Sequence, residues 1–244
     1  MIQEKFDSMN LKNQHTYVLI AGAWHGGWVW RDVIPGLRKL GHAVTAPTLT
    51  GLGERRHIGT SDTDLSTHID DVIAHIDMED LQSVTLVGWS YGGMVITGVT
   101  ARIPDKIKSL IYLDAFVPED GKAVVDYFSA EHRARLELLM SEGKSMPPVP
   151  LEVFGVADPS IIAFVTPRLV DQPLRTFYEP VHALPLPPDI TIAYVYCSGY
   201  QALFTQFYEK LKGDPRVRTA VIDTGHLCML SEPLKTIEVL DDLA

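Results

Sequence analysis

Apolar residues along this chain gather in short runs, and the stretches between them carry helical spacing. The runs are Tyr17–Ala21, Ala43–Ala46, Val84–Gly88, Leu110–Asp114, Ile190–Cys197 and Arg218–Ile222. The helical periodicity lies over Trp28–Leu40, Leu65–Asp77, Met94–Ile103, Phe204–Lys212 and Leu234–Leu243. A continuous apolar run such as Val84-Thr85-Leu86-Val87 suits a strand covered on both faces. Strands that alternate with helices predict right-handed βαβ units and a mostly parallel sheet flanked by helices.

The alternation stops between Pro118 and Pro188, where no run reads as a buried strand. That stretch holds a helix-like piece at Glu131–Met140, a Pro-rich turn at Met146–Pro150 and the cluster Leu184-Pro185-Leu186-Pro187-Pro188. About 70 residues are too many for a plain loop. They predict a helical cap over the C-terminal edge of the sheet. The expected organisation is a core of residues 1–117 and 189–244, with the cap inserted at 118–188.

Composition adds limits. With 244 residues, 46% of them hydrophobic and 21% charged, the chain has enough apolar matter for one core that folds without staples. Its formal net charge of −10 repels nucleic acid and anionic membrane, so neither is an expected partner. Two cysteines, Cys197 and Cys228, do not make a chain of this size depend on a bridge; they predict reduced thiols and a cytoplasmic setting. The polar stretch Met1–Gln14 lacks the apolar core of a signal peptide. No apolar run reaches the ~18 residues that a membrane span needs.

The sharpest chemical signal is Gly88-Trp89-Ser90-Tyr91-Gly92-Gly93, a G-x-S-x-G pattern with a strand before it and a helix after it. Such a turn pushes the serine hydroxyl out of the backbone, and Cβ atoms at Gly88 and Gly92 would obstruct the close crossing of strand and helix. The competing reading is a glycine-rich turn with an incidental serine. An acyl-transfer nucleophile also needs two preorganised N–H donors for its oxyanion. Tyr91, next to Ser90, supplies one. The loop Ala21-Gly22-Ala23-Trp24-His25-Gly26-Gly27-Trp28 after the first strand supplies the other, and Ala23 is the choice within it.

Nine histidines are present. His68 and His75 share a helix face without a third ligand, so no metal site is read there. His226 stands in Thr224-Gly225-His226, between the last strand and the last helix, which suits a general base following Ser90 in chain order. The acid is harder to place. Its usual loop, after Ile190–Cys197, reads Ser198-Gly199-Tyr200-Gln201-Ala202 and holds no carboxylate. Asp114 ends the preceding apolar run, where a charge is costly unless it has a partner, and a protonated His226 would be that partner. Asp114 capping a turn is the alternative, and Asp223 ranks last because it lies too close to His226 along the chain.

These motifs together resemble the α/β hydrolases, in the group of plant methylesterases, hydroxynitrile lyases and bacterial pyrethroid-type carboxylesterases. The likeness spans nearly the whole chain and rests on Ala23-Trp24-His25-Gly26, Gly88–Gly93 and Gly225-His226 with Met229-Leu230-Ser231-Glu232-Pro233. It implies the α/β-hydrolase fold, Ser90 as nucleophile, His226 as base, Ala23 and Tyr91 as oxyanion donors, and no cofactor or metal. Most of these relatives keep an Asp where this chain has Gly199-Tyr200-Gln201, which favours Asp114 as the acid. Lyases of the group place Lys after the histidine and Thr in the oxyanion loop; Leu227 and Ala23 stand there, which disfavours lyase chemistry.

The expectation is a serine esterase acting on small, largely apolar carboxylic esters. Trp24, His25, Trp89, Phe128, Leu139, Phe154 and Phe164 are expected at the substrate, and a homodimer stays open. The alternatives are a ligand-binding protein with vestigial turnover, or a lyase or cyclase on the same fold.

Overall fold

The computed structural model describes residues 14–183, 185–200 and 203–244. Most of the Met1–Gln14 stretch, together with Leu184, Gln201 and Ala202 of the segments read above, lies outside the described residues. Strands form where β-branched and aromatic residues concentrate: β1 (Thr16–Ile20), β2 (Ala43–Thr45), β3 (Val84–Trp89), β4 (Ile107–Leu113), β5 (Thr191–Cys197) and β6 (Val217–Ile222). They pair in parallel in the order β2-β1-β3-β4-β5-β6.

Side chains alternate across this sheet with the period of two that strands impose. Val18, Ile20, Leu86, Leu110 and Tyr112 enter one apolar cluster. Tyr17, Leu19, Val87, Ile111 and Leu113 enter the other. Helices cover both faces: α1 (Ile34–Lys39), α2 (Leu65–Met78), α3 (Gly92–Arg102) and, after the insertion, α7 (Thr205–Leu211), α8 (Cys228–Ser231) and α9 (Pro233–Leu243). The helix expected over Trp28–Leu40 is instead a 3₁₀ turn at Gly27–Trp30 followed by α1. Pro35 is the reason, because proline lacks an N–H and is tolerated in the first turn of a helix, not in its interior.

The segment between β4 and β5 carries α4 (Ala130–Ser141), α5 (Pro159–Val165) and α6 (Arg175–Tyr178), joined by short 3₁₀ turns. One antiparallel bridge, Met146 with Gln172, ties it to itself. It packs into both clusters, sending Leu136, Met146, Leu174 and Phe177 to the first and Leu151, Val156 and Val165 to the second.

Candidate active site

β3 and β4 run side by side, with Gly88 opposite Tyr112 and Trp89 opposite Leu113. One residue further on, Ser90 and Asp114 leave the sheet together. Ser90 N–H donates to Leu113 O at 3.3 Å, and Asp114 N–H to Val195 O at 2.6 Å. Both take the left-handed backbone region, φ +57° at Ser90 and +43° at Asp114, and Trp24 joins them at +65°. Among the described residues, these are three of the five non-glycine residues with positive φ. Each such conformation costs on the order of 1–3 kcal/mol, so strain is concentrated at this edge.

Two glycines permit the crowding. A Cβ on Gly88 would stand 2.6 Å from Gly92 O, so β3 could not pass the start of α3 with any side chain there. A Cβ on Gly22 would stand 2.7 Å from Ser90 Cβ, so the loop after β1 lies directly against the serine.

His226 Nδ1 and Asp114 Oδ2 are 2.6 Å apart. The carboxylate accepts, so Nδ1 carries the proton and Nε2 keeps its lone pair. Asp114 is fully buried, and its Oδ1 also accepts from Cys197 N–H at 3.2 Å. Burial pushes the Asp114 carboxyl up, while His226 and the Cys197 N–H pull against it. The imidazole is held on several sides. The backbone N–H of His226 donates to Phe154 O at 2.9 Å, its backbone carbonyl accepts from Trp89 Nε1 at 2.9 Å, and its ring stacks on Phe204 at 5.0 Å. Asp223 is engaged elsewhere, accepting from the Ser198 hydroxyl at 2.6 Å in an exposed position.

Among the described residues, neither the Ala23 nor the Tyr91 backbone N–H has an acceptor within the protein. Both residues, with Ser90, line a cavity of about 120 Å³ whose walls are otherwise mostly apolar. Trp24, Phe128 and Phe154 stand in its wall, as the sequence suggested. Phe116, Phe177, Tyr200 and Phe204 stand there too and were missed. Their signal was position: Phe116, Tyr200 and Phe204 closely follow the C-terminal ends of β4 and β5, where α/β sheets build sites.

Four residues expected at the substrate do not line this cavity. The indole of Trp89 is buried beneath His226 and spends its N–H on the His226 carbonyl. Phe164 sits over Trp28 with the guanidinium groups of Arg31 and Arg168 across its ring. Leu139 is half-buried against the first apolar cluster. His25 turns back on its own loop, with Nδ1 2.6 Å from Ala23 O and its ring against Trp28 and Trp89. Burial lowers its pKa to about 4, so it is neutral at physiological pH.

The histidines of α2 are occupied by the fold. His68 Nε2–H donates to Thr50 O at 2.8 Å, which leaves Nδ1 to accept from the Tyr91 hydroxyl at 3.0 Å. His75 Nε2 meets the Thr45 hydroxyl at 2.9 Å. Cys197 and Cys228 are both buried and free. No helix among the described residues is long and apolar enough to cross a membrane.

Comparison with known proteins gives the family and the fold. The sequence profile described as the alpha/beta hydrolase family matches residues 17–239. A carbendazim hydrolyzing esterase of Nocardioides sp. (strain SG-4G) is 40% identical over 240 residues, 92% of this chain and 97% of that protein. Methylesterase 2 of Arabidopsis thaliana is 35% identical over 114 residues, 44% of this chain and 42% of that protein. Among solved structures, an extracellular α/β-hydrolase from a Paenibacillus species aligns with a TM-score of 0.81 at 25% identity, covering 94% of this chain and 99% of that one. A pyrethroid hydrolase, PytH, shares the fold at a TM-score of 0.70 and 21% identity, covering 93% of this chain and 96% of that one.

Proposed function

The chain belongs to the α/β-hydrolase family and is a carboxylic ester hydrolase, and we propose that Ser90, His226 and Asp114 carry its chemistry on small, largely apolar esters. The observation that carries this reading is the 2.6 Å contact of His226 with Asp114 at the strand end beside the strained Ser90.

Ser90 Oγ attacks the ester carbonyl carbon while His226 Nε2 takes its proton. Asp114 holds the proton on Nδ1 and stabilises the imidazolium. The oxygen that becomes negative accepts from the N–H groups of Ala23 and Tyr91, which have no acceptor in the fold to give up. His226 then protonates the departing alcohol, leaving Ser90 acylated. Water then adds to the acyl carbon while His226 takes its proton, and the carbonyl re-forms as the bond to Ser90 Oγ breaks, Ser90 recovering the proton from His226 as the acid leaves.

The apolar wall sets the substrate class, because such a cavity favours apolar groups and has little to offer a charged one. The inserted segment serves as the cap over this cavity. Two free, buried thiols fit a cytoplasmic enzyme. The binding-protein alternative drew on the missing acid, and the contact of Asp114 with His226 weighs against it. The experiment is a panel of p-nitrophenyl esters of varied acyl size, assayed beside Ser90→Ala. Carbendazim belongs in the panel because of the 40% identical relative.

A further inference from the structure

The Ala23–Trp24 peptide is gripped at both ends by side chains. Its carbonyl faces His25 Nδ1 at 2.6 Å, and its N–H donates to Gln172 Oε1 at 3.0 Å. His25 belongs to the same loop. Gln172 comes from the inserted segment and is completely buried. We propose that Gln172 is a positioning residue for ester hydrolysis, holding the loop that presents the Ala23 N–H to the oxyanion. This rests on the reading of Ala23 as an oxyanion donor.

Trp24 explains why the loop needs holding. It is a bulky residue at φ +65°, a conformation that persists only where its surroundings enforce it. The inserted segment provides that enforcement. Val170 N–H donates to Trp24 O at 3.1 Å, and Trp24 Nε1–H donates to Met146 O at 3.1 Å. Met146 and Gln172 exchange two backbone bonds of 2.9 Å each, so the acceptors of the Trp24 backbone N–H and of its indole N–H both belong to one bridge.

The Gln172 amide has only one orientation. An N–H faces Oε1, so Nε2 points at the Thr176 hydroxyl, 2.8 Å away, and that hydroxyl donates to Pro173 O. All these groups are buried and satisfied, which fixes the side chain in one rotamer. Without Oε1, the Trp24 N–H would be buried with no acceptor, and the peptide would turn to relieve it. Turning that plane rotates ψ of Ala23, the residue whose own N–H is the donor. Gln172 does not line the cavity, so it acts through the loop and not on the substrate.

The test is Gln172→Met, which keeps the size and removes the acceptor. It is read with two ligands of the same apolar chain. One is a trifluoromethyl ketone. Ser90 Oγ adds to its carbonyl carbon, the π bond breaks, the proton passes to His226, and the new oxyanion sits in the hole. The other is the matching secondary alcohol, which cannot add. The expected result is kcat lower by roughly tenfold with KM within about threefold, and the ketone weakened by a similar factor while the alcohol keeps its affinity. Gln172→Glu retains an acceptor and is expected to keep kcat within about threefold.

Unchanged kcat in the Met variant, equal weakening of both ligands, or a Glu variant as impaired as Met would overturn the proposal. Should the Met variant not fold, Thr176→Val removes the hydroxyl that steadies the amide. It is expected to weaken the ketone alone, and equal affinities would overturn the proposal just as well. Wild-type turnover that depends on Ser90 is the control. Its absence defeats the functional reading itself, whereas its presence with an indifferent Gln172 defeats only this inference.

Discussion

Asp114 and His226 are 112 residues apart in the chain, and their side chains meet at 2.6 Å. Asp114 ends the strand beside the one that carries Ser90, and His226 leaves the sheet after β6. Asp114→Asn preserves the shape and replaces the acceptor facing Nδ1 with an amide that can favour the wrong tautomer. The expected loss in kcat is roughly 10⁴-fold with the fold intact. Steady-state kinetics beside a circular dichroism spectrum checks this. A variant within tenfold of wild type would place the acid elsewhere.

Ser90→Ala removes the nucleophile. Loss of such a group costs on the order of 10⁶ in kcat. An organophosphate should add its mass to the Ser90 peptide of the wild type and to no peptide of the variant. Residual turnover of more than a few per cent would be incompatible with an acyl-enzyme at Ser90.

The cavity, about 120 Å³, predicts a size limit. Val149 lines it, and Val149→Phe fills part of it. The ratio of kcat/KM for a butyrate ester over an acetate ester should fall by about tenfold or more. An ester with a charged acyl chain should be poor in both proteins. Equal ratios in wild type and variant would move the acyl group out of this cavity.

Acid should weaken the fold through its buried neutral histidines. Burial holds His68 and His25 at about 4, below their ordinary 6.5. Between those values the unfolded chain binds more protons than the folded one, so stability is complete above pH 6.5 and is lost as pH falls toward 4. At pH 5 the loss comes to about 2 kcal/mol for each group. Urea denaturation at pH 7 and pH 5 should show a smaller difference in His68→Gln than in wild type. Identical differences would mean that His68 titrates normally.

The strands and the serine turn were legible because their signals are local. An apolar run bounded by turn residues declares a strand without reference to the rest of the chain. Asp114 was legible as a carboxylate at the end of such a run. The cavity wall was legible only at Trp24, Phe128 and Phe154, because tertiary contacts decide where an aromatic points. Phe154 and Phe164 look alike in sequence; one packs beside His226, and the other is drawn under two arginines. His25 follows Trp24, whose left-handed φ turns the chain and sends the imidazole behind the loop. Nothing near Asp171-Gln172-Pro173 marks Gln172, since its partner Trp24 N–H lies 148 residues away.

The inserted segment gives buried side chains to the clusters on both faces of the sheet. Swinging it clear as one rigid piece would break the packing that this segment shares with both clusters. Each large apolar side chain exposed in that way would cost about 1.5–3 kcal/mol, against a whole-domain stability of about 5–15 kcal/mol. Opening the whole segment on a hinge is therefore expected to be costly. The expected route for esters is local movement of side chains and turns at the cavity mouth, and the two parts of the chain are expected to melt together in a single calorimetric transition. Cutting out residues 118–188 would remove part of the sheet's own packing, and the remainder would lose the cooperativity that keeps it folded.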